Sequence, residues 1–554
     1  MIVHDRTDVC VVGLGAAGGV IAGGLVRLGL RVVALEAGPD IDPRTTELRF
    51  TDDEVAHIVD RALLWSEPEV MVFDDGPERV GCWLARNIGV GGPHVWSGFA
   101  YRFHPSDFRP ATGAGIPAGT SVCDWPLTYG DLEPWYERAE RLMDVAGAAG
   151  ENPFEAPRRR PYPRPPRAGS TASRLLFEAA RARGWHPYRP PAAILARDAG
   201  LRRACNHCGH CTFYGCHRNS KFSTLVTVLH EARASRLLSV RSGCVVTQVA
   251  CDHAGRPRSV RYVDPTGDAH DQPARVIVLA LNAPYVARML LLSRSEAHPT
   301  GLGNASDQVG RHLTFHTGAF AYGLYDEPVH SDRGPAQHVG IDDFNESRPA
   351  DAGATFQRGG IIHGGMPAAF TGGPLAFARA LDVAIPLPTG VPGYGDALLR
   401  FAADAYSRHQ AVYVLGEDLP QHGNRVTLDP VVRDSIGLPA LRIIYRVHEQ
   451  DVDQQRFLLS KAAELLVDSG ARDVVTSPSR IPGGIFAGHA HGTTRMGSDP
   501  AETVADDSGL VHGTDNLFVA GAGLFVTAAG LNPALTIVAL ALRSVPTIAA
   551  AAEA

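Results

Sequence analysis

An excess of positive charge is the first thing missing from this 554-residue sequence. Its 52 Lys and Arg stand against 59 Asp and Glu, a formal net charge of −7. That balance argues against a nucleic-acid partner, which would leave a basic footprint. It is compatible with a cationic small substrate without requiring one. Lysine is nearly absent, Lys221 and Lys461 being the only two, a bias we assign to base composition and not to function. No uninterrupted apolar run approaches the ~20 residues of a membrane-spanning helix; Ile537 to Leu542 is typical. No membrane span is therefore expected. The opening residues carry Asp5 and Arg6 directly ahead of a strand-like run. They leave no room for the basic region, apolar core and cleavage site of a secretory signal, so the cytoplasm is the expected compartment. A 20–50-residue repeat is also lacking, which sets solenoids and propellers aside. What remains, 45% hydrophobic and 20% charged, is the composition of a folded chain with two or three domains.

The N-terminal segment carries the clearest chemistry. Asp8-Val9-Cys10-Val11-Val12 is a short apolar run of the kind found in central parallel strands. It leads into Gly13-Leu14-Gly15-Ala16-Ala17-Gly18 and an Ala/Gly/Leu-rich stretch that Gly29 ends, after which Arg31 to Leu35 reads as a second strand closing at Glu36. This is a G-x-G-x-x-G fingerprint in its strand–turn–helix setting. Gly13 permits the tight turn, Gly15 the approach of a pyrophosphate, and Gly18 close helix–strand packing. Ala16 and Ala17 open the helix whose N-terminus would meet the phosphates. Glu36 stands where an acid accepts from ribose hydroxyls. The fingerprint alone does not separate FAD from NAD.

Three further segments narrow the choice. The first is Asn87-Ile88-Gly89-Val90-Gly91-Gly92-Pro93-His94-Val95-Trp96-Ser97-Gly98, a glycine-rich loop. The second is His489-Ala490-His491-Gly492-Thr493-Thr494-Arg495-Met496-Gly497, followed by Asp515 to Gly523. The third is Gly530-Leu531-Asn532-Pro533-Ala534-Leu535-Thr536. In these segments the chain resembles the glucose–methanol–choline family of FAD-dependent oxidoreductases. The branch it is most similar to holds pyranose oxidases, gluconate and glucose dehydrogenases and amino-sugar oxidases. Gly303-Asn304 to His312 and Asn424 to Asp429 extend the resemblance over nearly the whole length, with residues 320–410 matching weakly.

The resemblance implies FAD, with Gly91 and Gly92 beside the flavin, Val246 near the adenine, and Gly521 and Ala522 near the phosphates or ribityl chain. Pro533 and Thr536 belong to the same closing cofactor motif. His489 takes the position of the family's histidine base and Asn532 that of its polar partner. The residue types agree with this. Alcohol oxidation needs a base for the O–H proton while hydride leaves the carbinol carbon, and a histidine with an ordinary pKa near ~6.5 suits that task. His491 is the alternative base, its plainer reading being a supporting polar residue. In relatives that tether FAD through a histidine, the tether position corresponds here to Trp96, with His94 two residues earlier. Non-covalent FAD is the expectation, and His94 the fallback tether.

The remaining cysteines bear on the electron acceptor. Five are scattered, while Cys205, Cys208, Cys211 and Cys216 form C-x2-C-x2-C-x4-C. That crowding suits a metal better than a disulfide framework. An iron–sulfur cluster is the first reading, a four-thiolate zinc site the rival, and no metal the third. A cluster would favour a carrier or dye-like acceptor over O₂. His207, His210 and His217 are substitute ligands or solvent-facing loop residues. The i, i+4 pair His312 and His316 has no evident third ligand. Pro153 to Arg167, with six prolines and five arginines, reads as an extended, solvated connector.

The expected fold class is α/β: a discontinuous Rossmann-type FAD-binding domain with a second α+β substrate domain built on an antiparallel sheet. Residues 1–104, 205–315 and 483–554 are assigned to the first, 105–204 and 316–482 to the second and its connectors. The expected activity is oxidation of a hydroxyl on a sugar, amino sugar or related polyol, with aminoglycoside biosynthesis as one setting. A lyase on the same fold, a glycoside or pyranose oxidase using O₂ directly, and a flavoprotein kept for electron transfer are the alternatives.

Overall fold

Thr7–Val12 is a strand buried along almost its whole length; it runs into the helix Ala16–Arg27 and a second buried strand, Val32–Leu35. The structure is a computed structural model. It describes residues 1–42, 67–84, 89–92, 96–209, 211, 215–335, 338–346, 355–366, 377, 381, 387, 393–476 and 488–554. Strand, turn, helix and strand thus appear where the valine runs and the glycine fingerprint place them.

The long strand Ala269–Leu279 completes the core of this unit. Its second half pairs in parallel with Thr7–Val12 on one side and Leu517–Val519 on the other, Cys10 facing Ile277 and Ile277 facing Leu517. Its first half pairs with Pro257–Val263, antiparallel, and with Ile2–Val3. The resulting eight-stranded sheet runs Leu238–Arg241, Val32–Leu35, Thr7–Val12, Ala269–Leu279, Pro257–Val263 and Val245–Cys251, the two short strands flanking the long one. Strand order reverses beside Thr7–Val12, and doubly wound sheets bind their ligands outside the carboxyl ends at such a point. Gly13, Glu36, Ala280 and Gly521 all follow those carboxyl ends.

A six-stranded antiparallel sheet forms the second layer, ordered Asp473–Thr476, His316–Leu324, His409–Glu417, Gly360–Met366, Val339–Ile341 and Pro187–Tyr188. The helix Glu449–Asp468 covers it, packing Leu458, Ala462, Leu465 and Leu466 against Ala319, Ala321, Val412 and Val414. The α/β class with an antiparallel second sheet is the one expected. A third sheet joins Arg425–Arg433 and Pro439–Tyr445 to Glu69–Phe73 and Arg79–Gly81, so chain segments far apart in sequence share it.

One observation bears on the expected lack of a membrane span, and another corrects the reading of the Pro/Arg connector. The helix Ala534–Glu553 is long and apolar enough to cross a bilayer by length and composition, which the shorter run Ile537 to Leu542 did not disclose. More than half of its apolar window is buried against protein, Ala16–Arg27 and Tyr129–Met143 being its neighbours. The Pro/Arg segment is not simply solvated either. Arg158 pairs with Glu140 and Glu155, Arg159 with Glu133, Arg160 with Glu137 and Arg164 with Asp144. The arginines clamp the connector onto the Tyr129–Met143 helix.

Candidate active site

The crevice at the carboxyl ends of the parallel strands is lined by Gly13, Gly15, Glu36, Val246, Asn282 and Tyr285, among others. Gly18 lies so close to the preceding turn that a Cβ there would sit 1.9 Å from the Gly13 carbonyl oxygen, whereas nothing approaches within 4 Å of a Cβ built on Gly15. One glycine closes the turn and the other leaves open space in front of it. Asn282 places a buried Oδ1 in the same crevice with no hydrogen-bond partner. The opening and the orphaned acceptor both fit a bound dinucleotide.

Glu36 does more than the sequence suggested. Its carboxylate accepts from the backbone N–H of Leu14 (2.8 Å), Gly38 (2.9 Å) and Gly89 (3.0 Å). A carboxylate offers about four lone-pair sites, so one remains for a ribose hydroxyl. The Gly89 contact ties the second glycine loop to the fingerprint. Gly92, at φ 59°, is pressed against Gly15; a Cβ on it would lie 2.2 Å from the Gly15 Cα. Gly91 and Gly92 therefore sit directly over the fingerprint turn. Trp96 is pinned by its indole N–H, which donates to the Phe222 carbonyl at 3.0 Å. Lys221, buried, donates to the carbonyls of Trp96 (2.5 Å) and Cys211 (2.7 Å). His94 lies outside the described residues.

The closing segment supplies the rest. Gly521, at φ 97°, begins the short turn containing Ala522 immediately after Leu517–Val519, and Ala17 is near it. Pro533 caps the N-terminus of the helix Ala534–Glu553. Thr536 is buried, with its hydroxyl hydrogen-bonded to Tyr136 Oη at 2.9 Å. That contact gives Thr536 a structural partner which the sequence did not disclose.

Four imidazoles gather beside Asn532. His489 Nδ1 lies 2.9 Å from His316 Nδ1, and His316 Nε2 lies 2.8 Å from the Ala529 carbonyl oxygen. His491 stacks on Phe525, its ring 5.3 Å away and 9° from parallel, and meets His316 edge-on. His363 packs on Phe99 and approaches Tyr101 Oη at 3.4 Å, with the Asn532 side chain beside it. Burial depresses all four: His316 to about 4, His363 to about 3, and His489 and His491 well below the ordinary value, the neighbouring imidazoles adding to the shift of the last two. The cluster is neutral at pH 7. A neutral imidazole has a lone pair to offer, the state a base needs.

Sequence reasoning placed His489, Asn532 and His491 in one neighbourhood, and missed His363 and Tyr101. It treated His316 only as half of a spaced pair with His312. The two separate in the fold: His312 takes Ser121 Oγ (2.7 Å) and Gln308 Oε1 (3.1 Å), while His316 turns to His489. Nothing local in the sequence marks these partners, since they lie more than a hundred residues away for every contact except Gln308.

The cysteine quartet does not fit the metal reading. Among the described residues no group of three or more His, Cys, Asp or Glu side chains could hold a metal ion. Cys205, Cys211 and Cys216 are free cysteines. Neither iron–sulfur nor zinc is supported, and we derive no electron path through these thiols.

A second polar network lines a cavity that Leu531 also lines. His104 Nε2 is 2.9 Å from Asp342 Oδ2, both fully buried, and Asp342 also accepts from Asn152 and Asn345. Burial opposes charge on His104, but Asp342 outweighs it and holds the imidazole at about 9. With an unfolded value near ~6.5, this pair contributes stability that is fully present below pH 6.5 and lost as pH rises through about 9. The effect is on the order of 3 kcal/mol. Denaturant midpoints measured from pH 6 to pH 9.5 should fall with alkalinity, and Asp342→Asn should flatten that slope. An unchanged slope in the variant would remove the pair as its cause.

Comparison with known proteins accords with this geometry. Residues 127–318 and 420–541 match the N- and C-terminal family models for GMC oxidoreductases. The 6'''-hydroxyparomomycin C oxidase of Streptomyces lividus is 32% identical over 98% of this chain and 92% of its own. Paromamine 6'-oxidase of Streptomyces fradiae is 30% identical over 98% and 92%. The gluconate 2-dehydrogenase flavoprotein of Pantoea cypripedii is 26% identical over 98% and 93%. Among solved structures, a formate oxidase superposes with TM-score 0.65 at 17% identity, covering 99% of this chain and 98% of its own, a likeness of fold.

Proposed function

The chain belongs to the GMC oxidoreductase family, FAD-dependent enzymes that oxidise alcohol groups, and from that premise we propose that it oxidises a hydroxyl of an amino sugar or related sugar through His489 and Asn532. The observation carrying the site assignment is the neutral His489 in a buried imidazole cluster that also holds Asn532. The two aminoglycoside oxidases among the relatives, each matched over 98% of this chain, favour the amino-sugar class. Aminoglycoside biosynthesis is the setting they suggest.

FAD, when bound, supplies the hydride acceptor. The chain supplies the rest. Gly13, Gly15, Glu36, Val246 and Asn282 would hold the adenosine end, and Gly91, Gly92, Gly521 and Ala522 the end toward the flavin. Asn532 fixes the substrate oxygen by hydrogen bonding without competing for its proton. His489 takes that proton, and the surrounding rings of Phe99, Tyr101 and Phe525 keep water from the site. The assignment of residues 1–104, 205–315 and 483–554 to FAD binding belongs to the same reading. So does non-covalent attachment: Trp96, at the tether position, has no basic ring nitrogen and already donates its indole N–H.

The test is an anaerobic titration. Purified holoenzyme, whose colour should pass to the supernatant on acid precipitation, is mixed with paromamine, glucose and gluconate in turn. Bleaching of oxidised flavin by paromamine ahead of the neutral and acidic sugars is expected. Bleaching by none of them would overturn the amino-sugar assignment, and substrate cleavage without bleaching would indicate a lyase.

A further inference from the structure

We propose that His316 is a positioning residue that sets the tautomer of His489, leaving Nε2 of His489 as the bare nitrogen offered to the substrate hydroxyl. The inference rests on the reading of His489 as base and goes beyond it by naming which nitrogen acts and what holds it.

The argument is one of proton counting. A carbonyl oxygen only accepts, so the 2.8 Å contact between His316 Nε2 and the Ala529 oxygen places a proton on Nε2. His316 is fully buried and held neutral. A neutral imidazole carries one ring proton, so His316 Nδ1 is bare and can only accept. The atom 2.9 Å away is His489 Nδ1, which must then carry the proton of that hydrogen bond. His489 is neutral as well, so its Nε2 is unprotonated. The second nitrogen of a histidine is set by the hydrogen bond the first one makes; here that bond comes from a third group anchored on the backbone.

The anchor is itself unusual. Ala529 holds a left-handed backbone at φ 57°, a conformation a non-glycine residue rarely adopts. It lies three residues before Asn532. The same short stretch therefore fixes the Ala529 carbonyl that orients His316 and carries the amide that holds substrate. His316 in turn begins the strand His316–Leu324, paired along its whole length with His409–Glu417. Its ring is carried on the sheet.

Two substitutions distinguish positioning from packing. In His316→Asn the amide Oδ1, standing where Nδ1 stands in the imidazole, can still accept from His489 Nδ1; in His316→Leu nothing can. His316→Leu is expected to lower kcat by ~10–10²-fold, with KM and flavin content near normal. His316→Asn is expected to recover most of the loss. Equal activity in the two variants, whether both low or both normal, overturns the proposal. ¹⁵N-histidine spectra of the unmutated holoenzyme give a readout independent of folding in the variants. The His489 signals, identified by their loss in His489→Gln, should show Nδ1 protonated and Nε2 bare. The opposite pattern refutes the tautomer even if His489 proves essential, and a dispensable His489 refutes the base reading separately.

Discussion

His489→Ala is expected to bind FAD normally and to reduce it ~10²–10⁴-fold more slowly, the range for removing a general base. Several features make the loss large. Among the described residues the site offers no solvent-exposed base to substitute, because His316 spends one nitrogen on the Ala529 carbonyl and the other on His489. His491 stacks flat on Phe525. His489 adjoins the sheet architecture without forming part of it, which leaves the dinucleotide crevice intact. Stopped-flow measurement of flavin bleaching under anaerobic conditions separates this step from reoxidation. Near-normal bleaching with full flavin occupancy would remove His489 from the role and direct attention to His491. Asn532→Ala should be impaired less, since it removes a hydrogen bond and not the proton acceptor.

The second large effect concerns stability. Arg358 is buried and pairs with Asp107 and, at 2.7 Å, with Glu417, two carboxylates that are themselves buried. Burial pushes Asp107 up, the Arg358 charge resisting it. The three residues join the Pro105–Phe108 turn to the central antiparallel sheet, where Glu417 ends the strand His409–Glu417. Arg358→Leu would strand both carboxylates in the interior. Removing one partner of a buried ion pair costs about 3–5 kcal/mol, and here two acids lose the same partner. A lower denaturant midpoint and poorer recovery of folded protein are expected. Asp107→Asn, which leaves Arg358 paired with Glu417, should cost less. If Arg358→Leu matched the unmutated protein in denaturant, the triad would contribute nothing net to the fold.

Particular residues show why some of this was readable in advance. Fingerprint glycines, Glu36 and the strands around them act within one strand–turn–helix–strand unit, so the spacing of apolar and glycine residues carries their positions directly. Even there the readout was partial. That Glu36 accepts from Gly89, fifty-three residues on, depends on how the second glycine loop lies across the first. Thr536 shows the same limit, since its partner Tyr136 is four hundred residues earlier. The cysteine spacing made convergence plausible, yet spacing leaves side-chain direction open. In the fold Lys221 reaches the Cys211 carbonyl, and the thiols stand without a metal-holding arrangement among the described residues.

By itself the sequence disclosed the α/β class and the dinucleotide fingerprint, because these follow from residue types at short, fixed separations; His489 and Asn532 were named by resemblance to the family's motifs. Only the tertiary structure decided which groups surround them. His316 and His312 are four residues apart and go to different partners, since one begins a sheet strand and the other lies in the loop before it, at φ 58°. The contact between His316 and His489 spans 173 residues and that to Ala529 spans 213. Contacts of that range are fixed by how the antiparallel sheet packs on the closing segment. Local periodicity does not encode that packing, and the protonation proposed for His489 depends on it.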